Sequence, residues 1–358
     1  MSVDQAPARH ERAAVVPNER DVSTPLLDVR HLCVEYVTGR GAVRAVDDVS
    51  FALHKGEVLG LAGESGCGKS TIANAITRLL KPPAQITGGQ ILFEGQDVLA
   101  LDTEALRRFR WSRVSIVSQS AMNALNPVMS IGAHMVDTLR AHTTMSKREA
   151  LERGAELLRV VGIERARLKS FPHELSGGMR QRAVIALGLA LNPDLIIMDE
   201  PTTALDVVVQ KEIMQQIEDL KERFGFSIIF ITHDISLLVE FSDRIAIMYA
   251  GKLAEVAPAR ELFGAPKHPY TVGLMNSFPS LDGADDAVMA GIPGAPPDLA
   301  APPSGCRFHP RCPHVMSVCV DAEPLLVAAS PDHPVACHLY PSHGQPATAV
   351  VGRTTGMP

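Results

Sequence analysis

The glycine-rich segment at residues 63–71 constrains the fold more than any other part of this 358-residue chain. It fits the pattern G-x-x-x-x-G-K-[ST], in which consecutive backbone N–H groups point inward at phosphate oxygens. The apolar run before it, at 58–62, is typical of a buried strand, and the residues after it, about 69–80, have a helical pattern that Pro82 stops. This order predicts a nucleotide-binding α/β domain; the alternative is a glycine-rich turn with an incidental lysine.

The loop supplies side chains with separate roles. Lys69 would reach the β- and γ-phosphates, and the Ser70 hydroxyl would ligate Mg²⁺. Cys67 is either a thiol sensitive to alkylation or a small residue tolerated in a loop that works through its backbone, and the second interpretation is favoured. The residues expected to contact the nucleotide are Gly63, Glu64, Ser65, Gly66, Cys67, Gly68, Lys69, Ser70 and Thr71.

Two acidic residues follow a second apolar run. Residues 195–198 are typical of a buried strand, and Asp199 and Glu200 come at its carboxyl end, where open α/β sheets bind nucleotides. Asp199 would hold Mg²⁺ through water, whereas Glu200 would polarise the attacking water. The alternative is a surface pair of acids that caps the following helix.

Composition argues against several classes of protein. Lys and Arg number 34 against 40 Asp and Glu, and the net charge of −6 is unlike that of proteins that chiefly neutralise nucleic-acid phosphates. The longest uncharged apolar run, near 183–191, is shorter than the roughly 20 residues of a membrane-spanning helix. Residues 1–20 lack the apolar centre of a secretory signal. We therefore expect a cytoplasmic chain that forms no pore by itself.

The order of the apolar runs predicts the organisation of the chain. Buried runs alternate with helical segments after residue 192, which indicates a parallel sheet with right-handed crossovers. Residues of about 120–192 have helical spacing without a convincing strand, which predicts a helical insertion. We expect a flexible tail over 1–24, a nucleotide-binding domain over 25–269, and a C-terminal domain over 270–358, where proline, glycine and cysteine become more frequent.

Residues 175–182 read Leu-Ser-Gly-Gly-Met-Arg-Gln-Arg and precede an apolar helical run. Ser176 is a favourable N-cap, and Gly177 and Gly178 expose backbone N–H groups at the helix start. In isolation the segment would be an ordinary helix cap. After the phosphate loop and before the acidic pair, it resembles the signature motif of the ATP-binding cassette (ABC) ATPases. The resemblance covers residues 26–260.

Further landmarks of that family follow in order. Tyr36 matches the aromatic residue that stacks on adenine, and Gln119 matches the glutamine that joins the γ-phosphate and Mg²⁺ site to the helical insertion. Asp206 matches the loop that crosses to the partner subunit, and His233 matches the switch histidine that contacts the γ-phosphate. The resemblance implies ATP as substrate, Mg²⁺ as cofactor, and as catalytic residues Glu200, His233, Lys69 and Gln119.

The resemblance also implies a fold and an assembly. The fold would be that of an ABC cassette, a P-loop NTPase with a RecA-like parallel-sheet core, an antiparallel β subdomain, a helical insertion and a small cysteine-containing C-terminal domain. Two cassettes would pair head to tail, as a heterodimer or a homodimer. The residues that would face the γ-phosphate side of the partner are Ser176, Gly177, Gly178 and Asp206.

Three stretches, at 120–129, 201–210 and 268–271, resemble the oligopeptide and dipeptide importer ATPases. One departure is Ser120-Ala121, where those proteins usually have Asp-Pro in a segment that contacts the transmembrane partner. The resemblance implies two permease subunits, an extracytoplasmic solute-binding protein, no nucleic-acid partner, and a peripheral location on the cytoplasmic face of the membrane. Nickel or oligosaccharide cargo, or a soluble cassette acting on ribosomes or DNA, are the alternatives.

Four of the six cysteines fall within the C-terminal domain. Their spacings of five, six and seventeen residues lack the C-x2-C of a zinc ribbon, and in a reducing compartment such a group favours metal over disulfides. Resemblance to the importer ATPases implies a [4Fe–4S] cluster with a structural role. The proposed ligands are Cys306, Cys312, Cys319 and Cys337. Zinc, with nearby His309, His314, His333 and His338, and unliganded or disulfide-bonded cysteines remain alternatives.

Overall fold

The computed structural model describes residues 24–39, 41–118, 125–202, 206–277 and 291–340. These residues form two sheets with helices packed around them. The strands are β1 Leu27–Thr38, β2 Gly41–Leu53, β3 Val58–Ala62, β4 Ala84–Phe93, β5 Gln96–Asp97, β6 Val114–Val117, β7 Leu195–Asp199, β8 Ser227–Ile231, β9 Arg244–Tyr249, β10 Lys252–Pro258, β11 Val327–Ser330 and β12 His333–Val335. The helices are α1 Lys69–Ile76, α2 Thr103–Ser112, α3 Ile131–His142, α4 Lys147–Val160, α5 Gly177–Gly188, α6 Val207–Phe224, α7 Ile235–Phe241, α8 Ala259–Gly264, α9 Pro269–Met275 and α10 Ser317–Asp321.

The central sheet has the strand order β11-β12-β10-β9-β3-β8-β7-β6, and the five strands from β9 to β6 are parallel. Every residue of β3, β7 and β8 is buried, because the sheet is covered on both faces. Since parallel strands end at the same edge, β3, β7 and β8 deliver the residues that follow them to one place.

Alternation along the central strands divides the core in two. Leu59 and Leu61 of β3 pack into one core with α1 and the antiparallel sheet, whose order is β2-β1-β4-β5. Val58 and Ala62 of the same strand pack into the other, which includes the helical insertion. Successive side chains of a strand point to opposite faces, so one strand contributes to both cores.

The described part of the predicted helical insertion is built from α3, α4 and α5. Ser146 and Glu149 form a capping box at the start of α4, which sets where that helix begins. Gly154 allows α3 and α4 to approach closely, because a Cβ there would lie 2.9 Å from the Cβ of Met135. The predicted helix at 69–80 is shorter, since α1 ends at Ile76 and Arg78 turns the chain with φ 51°.

The C-terminal part packs on the cassette through the edge of the central sheet. β12 pairs with β10 at Val335 and Glu255, and β11 pairs with β12. His333 is fully buried there, with Nε2 2.6 Å from Glu255 and Nδ1 2.7 Å from Glu261. The hairpin therefore extends the same sheet. No helix within the described ranges has the length and apolar character needed to span a bilayer.

Candidate nucleotide-binding site

The loop between β3 and α1 depends on glycine at two close approaches. Gly63 has φ 143°, and a Cβ on it would lie 2.1 Å from the carbonyl oxygen of Met248 in β9. Gly68 has φ 110°, and a Cβ on it would lie 2.3 Å from the carbonyl oxygen of Ala45 in β2. A side chain fits at neither position. Close backbone packing therefore explains why the pattern requires these two glycines.

Lys69 binds the backbone of the loop through its side chain. The side chain is buried, and Nζ donates hydrogen bonds to the carbonyl oxygens of Gly63, at 2.7 Å, and Glu64, at 3.1 Å. Gly68 makes no side-chain cap at the start of α1, so the first turn keeps N–H groups without an intrahelical acceptor. A cation beside such donors suits a phosphate group.

The loop has an exposed and a buried part. Solvent reaches Ser65, Gly66 and Ser70, while Glu64 is half-buried. The buried members are Gly63, Cys67, Gly68, Lys69 and Thr71.

Asp199 lies at the end of β7, buried and hydrogen-bonded to the side chain of Ser70. Burial raises the pKa of the Asp199 carboxyl, as does the charge of Glu200, whereas the Ser70 hydrogen bond and the Lys69 charge lower it. A hydroxyl and a carboxylate are the oxygen donors that Mg²⁺ prefers. The two side chains fit the magnesium site that the sequence predicts.

Glu200 occupies the turn after β7 with φ 49°, a backbone conformation that favours glycine. Its N–H donates to the carbonyl oxygen of Ile231 at the end of β8. Its Oε1 lies 3.5 Å from Nδ1 of His233, whose side chain is 68% exposed. Such strain at a strand end is a feature of functional sites. β7 and β8 thus place a carboxylate and an accessible imidazole side by side at the edge where the phosphate loop lies.

The signature residues lie at the N-terminus of α5, in the helical insertion. The Ser176 hydroxyl accepts a hydrogen bond from the N–H of Met179 at 3.2 Å, and Ser176 is exposed. Gly178 faces α6, where a Cβ on it would lie 2.9 Å from Cγ1 of Val209. The cap explains Ser176 and the close approach explains Gly178, and both leave the helix end at the protein surface.

Comparisons with known proteins agree with this geometry. The family model described as ABC transporter matches residues 46–203, and the model described as Oligopeptide/dipeptide transporter, C-terminal region, matches residues 254–319. The probable peptide ABC transporter ATP-binding protein y4tR of Sinorhizobium fredii is 44% identical over 315 residues, 87% of this chain and 94% of that protein. The oligopeptide transport ATP-binding protein OppD of Escherichia coli is 45% identical over 314 residues, 87% of this chain and 93% of that protein. The chain belongs to the ABC transporter ATPases of the oligopeptide/dipeptide group.

Solved structures support the fold of this ABC ATPase. The dimeric structure of a bacterial ABC transporter cassette aligns with a TM-score of 0.59 at 29% identity, covering 65% of this chain and 99% of that one. The predicted P-loop NTPase fold of the ABC cassette type is thereby confirmed.

The other predicted contacts of the ABC ATPase are partly described. The hydroxyl of Tyr36, in β1, lies 3.3 Å from Oγ1 of Thr71, which places its ring beside the phosphate loop. Asp206 caps α6 by accepting a hydrogen bond from the N–H of Val209 at 3.0 Å. The predicted residues Gln119, Ser120 and Ala121 lie outside the described residues.

Cys67 has the environment of a packing residue. Its side chain is buried, and Sγ lies 3.6 Å from Nζ of Lys69. Burial raises the pKa of the Cys67 thiol, although the Lys69 charge opposes this. Because the thiolate is the reactive form, the raised pKa supports the interpretation of Cys67 as a small residue in the loop.

Two residues at the site were not predicted from the sequence. The N–H of Glu64 donates to the hydroxyl of Tyr270 at 2.8 Å, and the Arg311 guanidinium donates to the Glu64 carboxylate. The sequence marks Tyr270 only as part of the 268–271 stretch, and Arg311 only as the residue before Cys312. No local pattern indicated that either would reach the phosphate loop.

The C-terminal cysteines are all free thiols, and those of Cys319 and Cys337 are buried. Burial, with the nearby thiols adding to it, raises the pKa of Cys306 to about 11 and that of Cys337 to about 12. The thiols therefore lie close enough to influence one another. Within the described ranges, however, no three His, Cys, Asp or Glu side chains are arranged to hold a metal ion.

The histidines named for the zinc alternative have other partners. His309 Nδ1 lies 3.0 Å from the carbonyl oxygen of Cys306, and His338 Nε2 lies 2.9 Å from the carbonyl oxygen of Ala322. His333 is held between two glutamates. The contacts of His333 engage both of its ring nitrogens and disfavour it as a zinc ligand, whereas the contacts of His309 and His338 engage one ring nitrogen each, as is usual for a metal-binding imidazole.

Proposed function

We propose that this ABC ATPase couples ATP hydrolysis to the uptake of oligopeptides or dipeptides through separate permease subunits. The observation that carries the proposal is the meeting of the phosphate loop, Asp199, Glu200 and His233 at one edge of the central sheet. The peptide cargo is supported by the relatives, which are peptide and oligopeptide transport ATP-binding proteins, and by the matched C-terminal region. The proposed location is the cytoplasmic face of the membrane.

Hydrolysis would use this chain's residues in fixed positions. The loop N–H groups, the start of α1 and Lys69 would hold the phosphates, and Glu200 would orient the attacking water. His233, 3.5 Å from Glu200, would contact the γ-phosphate from the end of β8. Mg²⁺, when held by Ser70 and Asp199, would neutralise charge on the β- and γ-phosphates.

Substituting Glu200 tests the catalytic assignment. Glu200→Gln should lower ATP turnover by about 10²- to 10⁴-fold, the contribution typical of a positioned acid or base, while ATP binding persists. Glu240→Gln is the matched control, because Glu240 is an exposed carboxylate on α7 of the same cassette. Turnover by Glu200→Gln equal to that of the control would remove Glu200 from its role.

Peptide uptake is tested in cells that depend on this chain. A strain without it should fail to take up labelled dipeptides and oligopeptides, and the wild-type chain, but not Glu200→Gln, should restore uptake. Nickel and oligosaccharide uptake, measured in parallel, should be unaffected. Loss of one of these, with peptide uptake intact, would contradict the peptide assignment while leaving the ATPase role in place.

We further propose that two cassettes pair head to tail around ATP. The exposed N-terminus of α5 supports this, as do Val207 and Val208 at the start of α6, whose residues are 81% and 69% exposed. ATP-loaded Glu200→Gln should sediment as a dimer alone, which indicates a homodimer, or only with a second ABC ATPase subunit, which indicates a heterodimer. A monomer under both conditions would contradict pairing.

The [4Fe–4S] cluster stays a proposal for the C-terminal cysteines. Its support is the presence of four free cysteines in one short segment, and cluster binding would require their side chains to converge further than they do. The chain purified without oxygen should contain iron and absorb visible light, and Cys319→Ser should lose both. A colourless, iron-free protein would contradict the proposal.

A further inference from the structure

Glu64 is the one carboxylate in the 63–71 segment, and Arg311 of the C-terminal part binds it in a fork. Nη1 of Arg311 donates to Oε2 at 2.7 Å, and Nη2 donates to Oε1 at 3.0 Å. The Arg311 side chain is only 6% exposed, against 24% for that of Glu64. Parallel bonds of this kind fix orientation as well as charge. The pair therefore joins the phosphate loop to a segment 247 residues away.

Tyr270 and Tyr249 complete the attachment. The hydroxyl of Tyr270, a fully buried residue, accepts from the N–H of Glu64 at 2.8 Å. The hydroxyl of Tyr249 lies 3.3 Å from Nη1 of Arg311, whose guanidinium is 5.8 Å from the centre of the Tyr249 ring. Both the backbone and the side chain of Glu64 are thus held by residues outside the loop.

Arg311 is itself held in place by the fold. Its Nε donates to the carbonyl oxygen of Pro293 at 2.9 Å. Phe308, three residues earlier, is buried against the rings of Tyr249 and Tyr270, with centroids 5.2 and 5.5 Å away. The guanidinium is therefore presented to Glu64 by packing.

The charge of Glu64 gives this contact a consequence for ATP. A carboxylate in a loop that binds phosphates would repel the nucleotide, and the repulsion is poorly screened where the groups are partly buried. Arg311 cancels that charge and limits the motion of the loop. Lys69 makes no such contact with the Glu64 carboxylate, because its Nζ bonds to the carbonyl oxygens of Gly63 and Glu64.

We propose that Arg311 is a positioning residue for ATP binding, which neutralises Glu64 and holds the phosphate loop in its binding conformation from the C-terminal part of the chain. The role concerns the nucleotide alone, so it is independent of the cargo that the transporter carries. It also gives the C-terminal part a function at the ATPase site that does not depend on the ligands of its cysteines.

The test measures the Kd of the full-length chain for MgATP, and the KM and kcat of the assembled transporter. Arg311→Gln should raise Kd and KM about tenfold or more, the range expected for a lost charge-assisted fork, with a smaller change in kcat. Arg311→Lys keeps the charge and loses the fork, so its values should lie between. A Kd unchanged in both variants would overturn the proposal.

A double variant that also removes the Glu64 carboxylate distinguishes charge neutralisation by Arg311 from an effect on folding. Adding Glu64→Gln to Arg311→Gln should recover most of the lost ATP affinity, because the repulsion disappears with its source. A double variant as weak as Arg311→Gln alone would mean that repulsion by Glu64 does not cause the loss, which would overturn the neutralising role of Arg311.

Arg307→Gln is the matched control. Arg307 belongs to the same segment and its side chain is 10% exposed, but it binds Asp47 and the carbonyl oxygen of Ala250. Its loss should lower the melting temperature with little change in Kd. An equal rise in Kd for the variants at 307 and 311 would assign the effect to the segment as a whole and overturn the specific role of Arg311.

Discussion

The phosphate loop and the signature both place glycines at the start of a helix, but the two helix ends are completed differently. α1 begins after Gly68, which makes no side-chain cap, and most of its first turn is buried. α5 begins after Ser176, which caps the helix and is exposed. The N-terminus of α1 therefore keeps uncapped N–H groups that can bind a phosphate, whereas the N-terminus of α5 is capped by a side chain and lies at the protein surface.

The surroundings of the two ends differ in the same way. Backbone from β2 and β9 closes on Gly68 and Gly63, and Tyr270 and Arg311 hold Glu64. The signature has its close contact on one side, where Gly178 meets Val209. The phosphate loop is thus packed from several directions, and the signature leaves one direction open, as its proposed contact with the partner's nucleotide would require.

The largest loss of ATP affinity is expected when a side chain is added inside the packed phosphate loop. Gly68→Ala should lower ATP affinity at least about 100-fold, because its Cβ would meet the Ala45 carbonyl oxygen at 2.3 Å in a backbone conformation unfavourable to alanine. Calorimetric titration with MgATP measures the loss. Gly66→Ala is the control: its φ of 80° is also strained, but its Cβ would meet nothing within 4 Å, so about a tenfold loss is expected. Equal losses would show that backbone strain alone, without the close approach, sets the requirement for glycine.

The packing behind the phosphate loop should depend on pH. Burial lowers the pKa of His268 to about 4, from an ordinary value of 6.5. Between these values the unfolded chain binds a proton that the folded chain does not, so the stabilisation is complete above about pH 6.5 and is lost as the pH falls towards 4. The loss is about 3 kcal/mol. Protonation of His268 should also weaken the attachment of Glu64. His268 Nδ1 accepts from the N–H of Tyr270 at 3.0 Å, and the Tyr270 hydroxyl accepts from the N–H of Glu64.

Denaturant titrations at several pH values measure this dependence. His268→Asn should flatten the profile between pH 6.5 and 4 by removing the buried imidazole. A profile that stays equally steep in the variant would assign the acid sensitivity to other groups, such as Asp47, whose pKa is lowered because the charges of Lys252 and Arg307 outweigh its burial.

Local patterns predicted much of the packed site. Strands β3 and β7 were predicted at nearly their observed bounds, because buried parallel strands are continuous apolar runs. The end of α1 was predicted too late, since Arg78 adopts a positive φ without the glycine that usually signals it. The short strands β11 and β12 were not predicted, because β12 is ordered by pairing with β10, about 80 residues earlier in the chain, and β11 is ordered by pairing with β12.

The contacts on Glu64 could not be predicted for the same reason. Tyr270 and Arg311 are 206 and 247 residues away, and neither position has a periodicity or spacing that points to the phosphate loop. The glycines, Lys69 and the acidic pair carry their chemistry within a few residues of sequence. The residues that hold them in place are selected by the folded structure.

The smallest effect on stability, and the sharpest test of the comparison, comes from the open site. Ser176→Ala removes a cap worth about 1 kcal/mol of stability, yet turnover by the assembled transporter should fall far more than the ATP affinity of the isolated chain, because the hydroxyl would act on the partner's nucleotide. Ser146→Ala is the control, since it removes an equivalent cap from α4 without touching the signature. Equal losses of turnover in Ser176→Ala and Ser146→Ala would mean that Ser176 acts only as a helix cap. The signature would then have no role at a partner's nucleotide.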